Sequence, residues 1–242
     1  MNKYYNKSEL DPKYKVYDPP IPKIEGIPIL DRDYRYWLNS KLIDKFHSHV
    51  KLDKSFENQY DNIPLFVEQY EFADNINSIL KNIILNSNLD ITKRSTNVKA
   101  GMTEYDFGKK HIEFKPLLKW IKSKLRKYTP LVYHMDERVK NNKYTLMIED
   151  CWGSVYNKGD FTQPHHHMFT DISIHWSWIY YIDITDKCSP LVFTISNKKI
   201  QPDNGNLIIF PSYLVHHVPI QKNNYSRIVV AGNHSIMSKP KI

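Results

Sequence analysis

The chain has 242 residues, 41% of them hydrophobic and 13% aromatic, which is enough for one large domain with a real core and excludes wholesale disorder. Its 7 glycines form neither a GxGxxG nor a GxxxxGK[ST] run, so the loops that cradle nucleotide phosphates are missing. The formal charge of +8 would suit an acidic partner, but no stretch interleaves basic and aromatic residues, so a nucleic-acid ligand is not expected and the charge reads as compositional bias.

Residues 1–30 are rich in charge and in proline (Pro19, Pro20, Pro22, Pro28), which blocks helix and central strand alike and predicts an extended run over a surface. The start is polar and has no apolar signal core, and no apolar run approaches the ~18 residues of a membrane span. Cys151 and Cys188 fit a reducing compartment and do not make a disulfide framework. Together these predict a soluble cytoplasmic protein without a membrane partner, in the host cytoplasm if the chain is viral.

Helical spacing follows. Leu38, Leu42, Ile43 and Phe46 predict a helix within residues 34–57. FVEQYEFADNINSILKNIIL predicts another over 66–86, ending in an Asn/Ser-rich stretch. IEFKPLLKWIKSKLRKY (112–128) places Leu117, Leu118, Ile121 and Leu125 on one stripe and Lys or Arg on the other. Such a helix packs its apolar stripe on a sheet more often than it meets a membrane or nucleic acid.

The pattern changes near residue 140. YTLMIEDCWGSVY (144–156), ISIHWSWIYYIDI (172–184), LVFTI (191–195), NLIIF (206–210) and RIVVAG (227–232) are β-rich runs separated by turn-forming segments. Short strands at near-regular intervals without intervening helices indicate an antiparallel sandwich or barrel. The division is therefore an N-terminal extension with supporting helices over 1–139 and a β-core over 140–242, joined as one integrated domain.

The chemistry concentrates in that core. In a strand, residues i and i+2 share a face, so His165 and His167 can meet one metal ion while His166 faces away. FPSYLVHHV (210–218) brings His216 and His217 onto another strand, and Arg227 opens the next. Two imidazoles from one strand and one from a distant strand make a facial triad with open positions, as in non-haem Fe(II) oxygenases. An Arg buried beside the metal needs an anion, and a carboxylate matches its fork with two parallel hydrogen bonds. A keto acid chelating the metal at one end and held by Arg227 at the other would satisfy every group.

The plainer readings differ residue by residue. A run of three histidines alone is more often a surface cluster. His166 and His217 read as packing or surface residues, and His175 and His234 as satisfied barrel histidines. Tyr181 taken alone reads as core. Trp176, Trp178 and Tyr180 are expected to pack under the helices. Asp171, in a loop after His167, is a candidate substitute carboxylate ligand.

Residues 152–233 resemble the 2-oxoglutarate/Fe(II)-dependent dioxygenase superfamily, and most of all its prolyl-hydroxylase-like branch seen in phage and bacteria. The resemblance is carried by Trp152, NKGDFTQPHHH (157–167), IYYIDI (179–184), GNLIIFPSYLVHHV (205–218) and RIVVAGN (227–233). It implies an α+β, mainly β fold: a double-stranded β-helix, or jelly roll, over about residues 140–236, with N-terminal helices packed on its major sheet. It implies Fe(II) on His165, His167 and His216, and Arg227 on the far carboxylate of 2-oxoglutarate. Tyr181 would donate to the same carboxylate, Asn233 would line the site, O2 would be the oxidant, and ascorbate would serve as reductant. The reaction implied is hydroxylation of an oxidisable protein, peptide or small molecule coupled to succinate formation. Two departures stand out: His167 occupies the place usual for Asp or Glu, and Trp178 the place usual for Gly. A cupin-like three-histidine dioxygenase or isomerase needing no 2-oxoglutarate, and a non-catalytic jelly-roll binding or structural protein, are the competing expectations.

Overall fold

The computed structural model describes residues 64–89, 96–167 and 174–239. The helix expected within 34–57, the proline-rich run over 1–30 and Asp171 lie outside the described residues.

Strand β1 (Phe66–Gln69) leads through a short turn into helix α1 (Ala73–Leu85). The helix expected over 66–86 is thus a strand followed by a helix. Phe66 and Glu68 alternate with exposed Val67 and Gln69, and β1 pairs antiparallel with a later strand, Phe66 opposite Ile209. That pairing overrides the local pattern, because four alternating residues directly abut a helical repeat. In α1, Ala73, Ile76, Leu80 and Ile84 recur every three or four residues and are buried.

Two short strands follow, β2 (Val98–Lys99) and β3 (Gly101–Met102), one in each sheet. A single turn of helix, α2 (Phe107–Lys110), and a 3₁₀ turn (Ile112–Phe114) lead into α3 (Lys115–Val132). Leu117, Ile121, Leu125 and Tyr128 form its buried stripe, so the basic amphipathic helix packs on the sheet. Helix α3 continues four residues past its expected end, through Pro130. A proline there removes a hydrogen bond to the Arg126 carbonyl. The Tyr144 hydroxyl lies 3.5 Å from that oxygen. Helix α4 (Glu137–Lys140) is capped by Asp136, which accepts from the Arg138 N–H at 2.8 Å.

The remaining strands are β4 (Tyr144–Tyr156), β5 (Phe161–His165), β6 (Ile174–Asp183), β7 (Leu191–Phe193), β8 (Lys198–Ile200), β9 (Asn206–Pro211), β10 (His216–Val218) and β11 (Arg227–Ser238). They make a six-stranded major sheet, β1-β9-β6-β11-β4-β3, and a five-stranded minor sheet, β2-β5-β10-β7-β8. All recorded pairings are antiparallel. The expected jelly roll with helices on its major sheet is what forms. Both sheets, however, recruit strands from before residue 140.

Alternation along the major sheet divides two cores. On β6, Trp176, Trp178 and Tyr180 face the helices, while Ile179 and Tyr181 face the minor sheet. The helix-side aromatics bury their polar tips only with partners. The Trp176 indole donates to Thr129 Oγ1 at 3.0 Å, Trp178 to His234 Nδ1 at 3.0 Å, and the Tyr180 hydroxyl to Asn77 Oδ1 at 2.7 Å. His175 likewise accepts from the Ile236 N–H at 3.3 Å.

Trp178, the bulky departure from the family pattern, pairs across the ladder with Gly232. A Cβ at Gly232 would stand 2.4 Å from the indole and 2.5 Å from the Asp150 carbonyl oxygen. The small residue has in effect moved to the neighbouring strand. Gly232→Ala is expected to lower stability by about 2–3 kcal/mol through overpacking against backbone. Urea denaturation measures this, and Trp178→Phe in the same chain should recover part of the loss.

Glu68 fastens β1 to α3, accepting from Lys124 at 2.7 Å, from Lys127 at 3.0 Å and from the Tyr128 hydroxyl. Burial pushes its pKa up, but the hydrogen bonds from Lys124, Tyr128 and Lys127 together outweigh burial and hold it down at about 2, against 4.5 for the free group. A depressed carboxylate stabilises above its unfolded pKa and loses that contribution as pH falls through the folded one. The wild type should therefore exceed Glu68→Gln by about 1–2 kcal/mol at neutral pH, after allowance for screening. The gap should close between pH 4.5 and about 2, followed by urea titration at each pH.

Candidate metal centre

Strand β5 ends at His165, and two residues on the His167 N–H donates to the carbonyl of Ser212, just past β9, at 2.9 Å. His216 opens β10 directly opposite His165. The sequence places these histidines about fifty residues apart, and the β5–β10 ladder makes them cross-strand neighbours. One ligand atom from each of His165, His167 and His216 lies within 4.8 Å of the others.

The tautomers suit a metal. His165 Nδ1 lies 2.8 Å from the Gln163 carbonyl and His216 Nδ1 lies 2.9 Å from the Leu214 carbonyl. A carbonyl can only accept, so both Nδ1 atoms carry the proton and both Nε2 lone pairs are left for a ligand bond. Aromatic walls fix the rings: His216 meets Phe210 edge-on at 4.7 Å and stacks on His167 at 5.3 Å. Burial lowers the pKa of His165 to about 4 and holds His167 and His216 well below the ordinary value, so all three are neutral bases at physiological pH. His166 and His217 stand outside the cluster, and His217 Nδ1 instead lies 2.8 Å from Thr194 Oγ1.

Arg227 lines the same cavity as the triad. Its side chain is 1% exposed, and its guanidinium lies 4.7 Å from the Tyr156 ring centroid and 5.1 Å from that of Tyr181. Nη2 donates to the Tyr181 hydroxyl at 3.2 Å, while Nε and Nη1 have no partner. Burial raises the Tyr181 pKa, so its hydroxyl keeps a proton to give. Asn233 is buried as well; its carbonyl accepts from the Ser177 hydroxyl at 2.9 Å and its amide donates to Asp150 at 3.0 Å.

Two residues that the sequence reading did not single out join them. Ser154 lines the cavity with a buried hydroxyl that has no partner, and Asp150 lies opposite Asn233. Trp152 and Tyr156, on either side of Ser154 along β4, belong to the core between the sheets, so period two from Trp152 would have found Ser154. The same period run back from Trp152 reaches Asp150, because the β4–β11 register stays continuous from Trp152 to Asp150 and shifts only beyond it, between Asn233 and His234.

The donor set matches a mononuclear metal site: three neutral imidazoles on one side of a cavity, and an unsatisfied buried cation in the same cavity. The fold is that of the 2-oxoglutarate/Fe(II) oxygenases. The viral collagen prolyl hydroxylase of Paramecium bursaria Chlorella virus-1, solved with 2-oxoglutarate, is similar at a TM-score of 0.51 and 14% identity, over 72% of this chain and 97% of that one. A Pseudomonas putida prolyl-4-hydroxylase is similar at 0.52 and 15%, over 76% and 97%. The non-haem α-ketoglutarate-dependent epimerase SnoN of nogalamycin biosynthesis is similar at 0.53 and 8%, over 77% and 85%. No protein-family model and no curated sequence matches the chain. At these identities the likeness is one of fold, and this oxygenase fold carries more than one reaction among those three neighbours. Among the described residues, no helix is long and apolar enough to cross a membrane.

Proposed function

We propose that this protein is an Fe(II)- and 2-oxoglutarate-dependent oxygenase that hydroxylates a protein or small-molecule substrate. His165, His167 and His216 would hold the metal, and Arg227 with Tyr181 the far carboxylate of 2-oxoglutarate. The observation that carries this reading is the buried Arg227 guanidinium with unpartnered Nε and Nη1 in the cavity of the three histidines. A buried unpaired cation costs several kcal/mol, which is retained only if a ligand repays it.

Charge supports the same cosubstrate. Three neutral imidazoles leave a divalent ion its full charge, and Arg227 adds another. A dianionic keto acid offsets most of it, which a neutral cosubstrate would not. Bound at this site, Fe(II) supplies the redox chemistry in which 2-oxoglutarate, O2 and a C–H substrate become succinate, CO2 and an alcohol. The chain's own part is to orient. Hydrogen bonds to Gln163 and Leu214 fix the ligand tautomers, Arg227 and Tyr181 set the reach of the keto acid, and Trp152 and Phe210 exclude water.

Anaerobic loading with Fe(II), followed by succinate quantification with and without 2-oxoglutarate, tests the proposal. Stoichiometric metal and succinate formation that requires 2-oxoglutarate is the expected result. Oxygen uptake indifferent to 2-oxoglutarate would sink it and favour a three-histidine dioxygenase of the cupin kind.

A further inference from the structure

His165 and His167 stand between two chambers. Val98, Trp152, His165, His167 and Asn233 border both. The inner chamber holds Arg227. The outer chamber, about 290 Å³, is also lined by Met102, Tyr105, Asp150 and His166. It is at the small end of ligand pockets, suited to one side chain or a small molecule. A group held there would face the histidines from the side away from Arg227.

The two chambers have opposite polarity. No Lys or Arg is among the described residues lining the outer one, and its single carboxylate is Asp150. That carboxylate is preset: Ser177 orients the Asn233 amide, and Asn233 donates to Asp150 Oδ2 at 3.0 Å. No ion pair among the described residues engages Asp150. The neighbouring lysines are occupied with backbone, Lys109 on the Glu149 carbonyl at 2.5 Å and Lys99 on the Thr96 carbonyl at 2.7 Å. A carboxylate positioned on a pocket wall without an internal cation can be completed by a cationic ligand. The Tyr105–Trp152 edge-to-face pair, with centroids 5.4 Å apart, adds aromatic wall beside it, and Met102 offers an apolar surface for a stem.

We infer that the outer chamber receives an organic cation on an aliphatic stem, with Asp150 pairing its ammonium or guanidinium head and the stem lying toward His165 and His167. This names a substrate class for the oxygenase reading and rests on that reading for its catalytic meaning. The binding itself is measurable without turnover.

Isothermal titration of the full-length chain, as purified and again with Mn(II) and 2-oxoglutarate, tests it. The probes are N-acetyl-lysine methylamide, its uncharged counterpart N-acetyl-norleucine methylamide, and agmatine as a free cation. One cationic probe at least should bind about tenfold more tightly than the norleucine amide, the scale of one charge-assisted contact. Which cation binds better tells a peptide source from a free amine. Asp150→Asn should abolish the preference, Asp150→Glu should keep most of it, and Arg227→Ala should leave it intact. Equal affinity of charged and neutral probes, no binding of either cation, or a preference that survives Asp150→Asn overturns the inference. Because Arg227→Ala removes the proposed cosubstrate anchor and not the carboxylate, failure of 2-oxoglutarate binding and failure of cation selection are read separately.

Discussion

Arg227→Ala is expected to reduce kcat/KM for 2-oxoglutarate by about 10²- to 10³-fold, the loss that follows removal of one partner from a buried charged pair. The same position should show an inverse effect on stability. Without a ligand, the guanidinium is buried beside Tyr156 and Tyr181 with Nε and Nη1 unpartnered. An apolar side chain of similar length relieves that cost, so Arg227→Met should melt higher than the wild type when no 2-oxoglutarate is present. Adding 2-oxoglutarate to the Mn(II)-loaded proteins should raise the wild-type Tm further and leave that of Arg227→Met almost unmoved, since ligand stabilisation follows affinity for the folded state. Calorimetry of the two proteins with and without the keto acid checks both halves. A wild type that is already more stable than Arg227→Met without ligand would mean that Arg227 serves the fold and not a carboxylate.

His216→Ala is expected to weaken metal binding by more than about 100-fold, since losing a ligand exceeds the 10- to 100-fold typical of losing an outer partner. His217→Ala, one residue on, should retain the ion, because its ring lies against Thr194 and outside the cluster. Metal content after desalting, measured by mass spectrometry, separates the two. Equal loss in both variants would indicate adventitious binding to a histidine-rich surface in place of a built site. His165→Ala should behave as His216→Ala does, since each contributes an Nε2 lone pair freed by its Nδ1 bond to a carbonyl.

Much of this was legible from side-chain order. Period two along β4, β6 and β11 located the long strands, because β-branched and aromatic residues there alternate between two buried faces. The same period led to the expectation that His165 and His167 meet, though β5 ends at His165 and His167 is held beyond the strand by its bond to Ser212; the apolar strand beginning at Arg227 marked that cation as buried. The short strands before residue 140 were not legible. β1 is four residues fused to a helical repeat, and β2 and β3 have two residues each, too few to display any period. Their existence depends on distant partners such as Ile209 and Val155. The change of pattern near residue 140 was real, but a sheet edge accepts any strand that fits, so strands from 66–102 enter both sheets. Asp150 is in phase with Trp152 along β4, but a single acidic residue at that position carries no apolar mark of an inward face, so its type and not its register hid it.

The alternation along β6 has a consequence for how this chain tolerates change. Ser177, Ile179 and Tyr181 look toward the chemistry, while Trp176, Trp178 and Tyr180 look toward the helices. A lineage can therefore drift at every second residue under two unrelated selections. Inward positions are constrained by what enters the cavity, and outward ones by the volume that α1 and α3 leave. Exchange of bulk between Trp178 and Gly232 belongs to the second set, where the side chains must change as matched pairs, although both residues also border the cavity of the histidines.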